Sequence, residues 1–127
     1  MPVRTIEIRR TDWSRALEEF SASHEGWLVS LEILSASMGA QPEVTDLPLV
    51  GVTFEAANSG TIIIAAARSA VDHLTHMVHA PRHVWIERTE TGADAALQVE
   101  SADGTKAILR LKTAVLPETV DGVARWP

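Results

Sequence analysis

Val71-Asp-His-Leu-Thr-His-Met-Val-His-Ala-Pro-Arg-His83 carries four of the five histidines of the chain, His73, His76, His79 and His83. It lies between two apolar segments, and its conformation decides how the elements around it connect. The helical reading starts from Ser69-x-x-Asp72, a spacing that satisfies early backbone N–H groups of a helix. Val71, Leu74 and Val78 then form a buried stripe, and Pro81 ends the helix. The strand reading puts His73, Thr75, Met77 and His79 on one face and Leu74, His76 and Val78 on the other. Few residues here are β-branched and the cap is good, which tips residues 69–81 toward helix while leaving the strand open.

The two conformations differ in what the imidazoles can do. On a helix His73 and His76 are neighbours, as are His76 and His79, and Asp72 reaches His76. Imidazole and carboxylate on adjacent turns can hold zinc, nickel or copper, so His73, His76 and His79 are the candidate metal ligands. His73 and His79 stand about 120° apart around such a helix, so an ion takes two of the three easily and the third with difficulty. On a strand those two residues are roughly 20 Å apart, and only intermolecular sites remain. Histidines beside a proline-containing connector more often bond backbone or water, and this cluster has neither Cys nor an HExxH spacing. That plainer reading prevails, and no cofactor is expected.

Upstream, Trp13, Ala16, Leu17 and Phe20 fall at i, i+3, i+4 and i+7 behind a capping Thr11 or Asp12, and Gly26 is placed to stop the helix. Residues 27–34 alternate as a strand, and residues 35–48, with Gly39, Pro42 and Pro48, read as a long connection. Residues 49–55 and 61–67 form a hairpin around Asn58-Ser-Gly60, and the Ile62–Ile64 run suggests a strand covered on both faces. Downstream, residues 83–90, 95–101 and 105–113 read as strands. Asp103-Gly104 marks a type I′ turn between the last two. Residues 1–10 are an arm or edge strand, and residues 114–127 an irregular tail. The expected architecture is α+β: an N-terminal helix on a curved antiparallel sheet of about six strands, able to close into a small barrel.

A chain of 127 residues with 46% apolar and 22% charged residues reads as one globular domain over residues 1–127. Cysteine is absent, which excludes disulfides and thiol chemistry and fits a reducing compartment. The net charge of −6, from 11 basic and 17 acidic residues, argues against nucleic acid, which requires a basic footprint. The longest apolar run, Ile62 to Ala67, is far short of the ~20 residues of a membrane helix, and the N-terminus lacks a signal-peptide pattern. A cytoplasmic protein with no membrane or nucleic-acid partner is expected. No nucleophile elbow, Walker loop or dinucleotide glycine pattern occurs, and no catalytic residue is assigned.

Trp13 and Trp27 flank the helix-to-strand junction and are expected to pack there. Trp85 is different: with Val84 and Ile86 facing inward it faces out, where it can mark a binding surface or dimer contact.

Phe20-Ser-x-x-His-Glu-Gly-Trp27, Leu47-Pro-Leu-Val-Gly51, His73-Leu-Thr-His76 with Pro81, and Ser101-Ala-Asp-Gly104 together resemble a family of small bacterial proteins of unknown function, DUF5335. The likeness spans roughly residues 4–122. It implies a stand-alone bacterial domain and brings no activity, cofactor, partner or catalytic residue. The functional expectation is a non-enzymatic domain working as a homodimer or through a protein partner. The rival is a metal- or small-ligand-binding protein using residues 73–83.

Overall fold

The computed structural model describes residues 3–112; the tail expected at 114–127, Trp126 included, lies outside them. The strands are β1 (Arg4–Ile8), β2 (Leu28–Ser35), β3 (Gly39–Glu55), β4 (Thr61–Ala67), β5 (His73–His79), β6 (Pro81–Arg88), β7 (Asp94–Ser101) and β8 (Lys106–Leu111). A short 3-10 turn, Arg10–Asp12, leads into the helix α1 (Trp13–His24). All eight strands belong to one sheet in the order β1-β6-β7-β8-β2-β3-β4-β5, with every neighbouring pair antiparallel.

This corrects the expected architecture. Among the described residues the molecule is predominantly an eight-stranded antiparallel sheet with one short α-helix, not a helix on six strands, and the sheet does not close. Three stretches account for the difference. Arg4–Ile8 pairs with β6. Residues 39–48, expected as a loop, are the first half of a 17-residue β3. His73–His79 is a strand, not a helix.

The last correction has a local cause. Ser69 Oγ accepts the amides of Val71 (3.3 Å) and Asp72 (3.1 Å), and the Asp72 carboxylate takes the Arg68 guanidinium at 3.2 Å. The Arg68 amide donates to Asp72 O at 2.9 Å. The residues that suggested a helix cap therefore close the β4–β5 turn, because a serine hydroxyl serves either structure. Beyond the turn, Leu74 and Val78 pack against the core, and β4 supplies seven consecutive register partners without a bulge.

The long β3 serves two parts of the sheet. Its first half pairs with β2 and its second with β4, and the strand turns at irregularities near Asp46 (φ 59) and Val50. The coiled sheet buries Val29, Leu31, Leu49, Val52, Ile62, Ile64, Val84, Leu97, Val99 and Leu109 in one core. Helix α1 adds Trp13, Leu17 and Phe20. Trp13 stands edge-on to Phe54 at 5.1 Å, and the Arg10 guanidinium lies over both rings. Trp27 packs instead on His24, at 4.8 Å. Gly60 (φ +90) sits under this cluster, where a Cβ would meet Arg10 Nη2 and Phe54 Cε1 at 3.0 Å.

Two connections bound β5 and β7. Ala80, with φ 51, is the only residue between β5 and β6; its amide donates to Gly60 O (3.1 Å), and its carbonyl accepts the Ala102 amide (2.9 Å). The Asp103-Gly104 turn is not type I′. Positive φ occurs at Gly104 (89°) and not at Asp103, and Gly104 N–H returns to Ser101 O, giving a longer loop with a glycine bulge. The Ser101 hydroxyl and Thr105 amide hold the Asp103 carboxyl below its usual range.

Candidate interaction surface

An antiparallel sheet exposes backbone donors and acceptors wherever a strand lacks a neighbour, and folded proteins blunt such edges. Here most are blunted. Edge strand β1 is five residues long and carries Arg4 and Glu7; its Ile8 carbonyl accepts the Trp13 indole N–H at 2.9 Å. The unpaired side of the first half of β3 carries Pro42, Glu43, Asp46 and Pro48. On the second half, α1 lies along the edge. Ser21 Oγ accepts the Val52 amide at 2.8 Å and stands 3.0 Å from Val52 O, while Leu49 exchanges backbone bonds with Gly26 and Trp27.

Strand β5 is the exception. It pairs with β4 on one side and, among the described residues, has no strand on the other. Between His73 and His79 there is no Asp, Glu, Lys, Arg or Pro. The backbone direction follows from Ala80. Its amide bonds Gly60 across the continued β4–β5 register, so by alternation Leu74, His76 and Val78 direct their backbone groups at β4. His73, Thr75, Met77 and His79 then direct theirs at the open edge. The same alternation carried across β4 leaves the backbone groups of Val52 on the far side of β3, where Ser21 receives them.

The outer face beside this edge is poor in charge. Register places Thr53, Ile63 and Met77 in one row and Gly51, Ala65 and Thr75 in the next. Met77 is 51% exposed and Val50 54%, large fractions for apolar side chains of a sheet. Between α1 and β4 the face dips into a groove of about 440 Å³ lined by Val50, Gly51, Thr53, Ile63 and Ala65, with Ser14 and Glu18 on its helical rim. Ile63 was expected under a second layer; no such layer covers it among the described residues.

The strand also separates the candidate metal ligands. His73 and His79 are exposed on the outer face at opposite ends of β5, and half-buried His76 points to the inner face. Among the described residues, no three His, Asp or Glu side chains come together as a metal site. His76 lines a small recess with Ile33, Val78, Ser101 and Asp103. Burial pushes its pKa below 6.5, His79 acts in the same direction, and the Glu43 carboxylate opposes both. His83 belongs to another strand, where its Nδ1 lies 2.7 Å from Glu7 Oε2.

Trp85 lies on the outer face of β6, opposite buried Val84 and Ile86. It is not an open aromatic patch. His83 stacks on the ring at 5.3 Å and 20°, and the Lys106 ammonium lies 5.3 Å from its centroid. Sequence alternation found the outward direction. The cross-strand clasp needed the register.

A separate cleft of about 430 Å³ runs between α1 and the β1–β6 edge. Its ionic groups are largely engaged with one another: Asp12 with Arg9 and Arg15, and Asp94 with Arg88 at 3.0 Å. His24, buried beneath it, donates from Nδ1 to Phe20 O at 2.7 Å and turns Nε2 toward Asp94 Oδ2 at 3.7 Å. The sequence reading missed Asp94, Val50, Ile63 and Met77; a lack of charge through residues 61–67 and 73–79 was the available signal for the last two.

No helix among the described residues is long and apolar enough to cross a membrane. No solved structure matches the chain. An uncharacterized protein of Aquifex aeolicus (strain VF5) is 29% identical over 115 residues, covering 90% of this chain and 98% of that protein. A family model described as a family of unknown function, DUF5335, matches residues 4–119, the span that contains the whole described sheet and helix. The chain belongs to that family.

Proposed function

We propose that this protein is a non-enzymatic interaction domain that self-associates on the side of the sheet that ends in β5. One observation carries the reading: among the described residues β5 is a regular seven-residue edge without charge, proline or bulge, in a sheet whose other edges are blunted. The exposed Met77 and the groove at Val50, Ile63 and Ala65 supply apolar area next to it. The histidines support this reading more than a metal site, because the strand spreads them along its length.

The experiment is sedimentation of untagged protein from about 1 to 300 µM, alongside Met77→Glu. A mass that rises with concentration, and rises less in the variant, is expected, because a buried unpaired charge opposes association. A single-chain mass throughout, identical for both proteins, overturns the reading.

A further inference from the structure

Association can use the edge of β5 or the face beside it, and the backbone geometry distinguishes them. We propose that a second copy of this chain adds antiparallel to β5, joining the two sheets edge to edge about a twofold axis at His76. This rests on the self-association reading and specifies its joint.

The register follows from which residues face outward. His73, Thr75, Met77 and His79 present backbone N–H and C=O to the open side, so hydrogen-bonded pairs form between members of this set. Full overlap of His73–His79 with its copy pairs His73 with His79, Thr75 with Met77, and the reverse. That makes about eight hydrogen bonds at two per pair, whereas sliding either way by one same-face step leaves about six. The pairing is isologous, as closed twofold dimers require. It keeps the two outer faces on one side, and Met77 covers Thr75 of the second copy. No Lys, Arg, Asp or Glu lies within the joined strands, so no like-charged carboxylates or ammonium groups meet across it.

His76 faces its own copy in a non-hydrogen-bonded position, where Cα atoms lie about 4.5 Å apart, inside the range that a disulfide spans. The chain contains no cysteine, so a single introduced thiol reports unambiguously. The experiment is oxidation of His76→Cys and Thr75→Cys at equal concentration, read as the rate of covalent dimer formation, with sedimentation of Ile63→Glu beside it. The joint predicts cross-linking at position 76 roughly tenfold faster than at position 75, whose partner is Met77. It also predicts that Ile63→Glu, on the face rather than the edge, still dimerises. A dimer that Ile63→Glu dissolves, with position 76 no faster than position 75, overturns the edge joint and leaves self-association standing through the face. A protein that stays single at every concentration overturns both.

Discussion

The Ser21 hydroxyl accepts the Val52 amide at 2.8 Å, across 31 residues of sequence, and lies 2.8 Å from Leu17 O and 3.0 Å from Val52 O. One side chain thus satisfies a strand edge and ties it to the helix that covers it. Ser21→Ala leaves the Val52 amide beneath α1 without its acceptor. Unpaired buried backbone groups cost about 1–3 kcal/mol, so a loss of that size is expected in urea unfolding. An unchanged midpoint would mean that water replaces the hydroxyl and that α1 does not seal this edge.

His76 gives the fold a defined acid sensitivity. Its folded pKa lies below 6.5 because burial disfavours the imidazolium. The unfolded chain therefore binds this proton first as pH falls. Stability is intact above the unfolded pKa of 6.5 and is lost progressively as pH falls through it toward the lower folded value. Comparing urea midpoints of dilute protein near about pH 7.5 and 5.5, wild type loses more stability than His76→Gln. Equal losses would contradict this assignment.

Ala80 holds a left-handed φ of 51°, at the bend that sends the chain from β5 into β6. A residue with a Cβ costs about 1–2 kcal/mol in that region, partly offset in glycine by greater freedom when unfolded. Ala80→Gly is expected to raise stability by up to about 1 kcal/mol, and Ala80→Val to lower it by at least as much, because branching at Cβ adds to the strain. Thermal unfolding of the two variants checks the order; the reverse order would contradict the bend.

The parts of the fold legible in the sequence are those fixed by neighbours a few residues apart. Trp13, Leu17 and Phe20 repeat with helical spacing and are buried, and Gly26 (φ 85) follows the end of α1. Alternation placed Val84 and Ile86 inward and Trp85 outward. Local chemistry misled where one side chain serves two structures. Ser69 and Asp72 cap a helix or close a turn, and here the seven register partners offered by β4 favoured the turn. Pro42 and Glu43 looked like loop residues, yet an edge accepts them because proline there removes no ladder bond. The candidate surface was least legible. Whether an edge is open depends on distant residues such as Ser21 and Trp13, and no local spacing encodes that.

The most direct measurement compares the sedimentation mass of wild type with Thr75→Pro and His76→Pro. Thr75 directs its amide at the open edge and His76 directs its amide at β4. Proline at 75 therefore removes a donor from the joint while leaving the β4 ladder intact, whereas proline at 76 breaks that ladder. The expected outcome is a wild-type dimer, a folded single-chain Thr75→Pro with near wild-type circular dichroism, and a strongly destabilised His76→Pro. A wild type that never exceeds one chain, or a folded Thr75→Pro that dimerises as tightly as wild type, would contradict the claim that β5 is where this protein meets its copy.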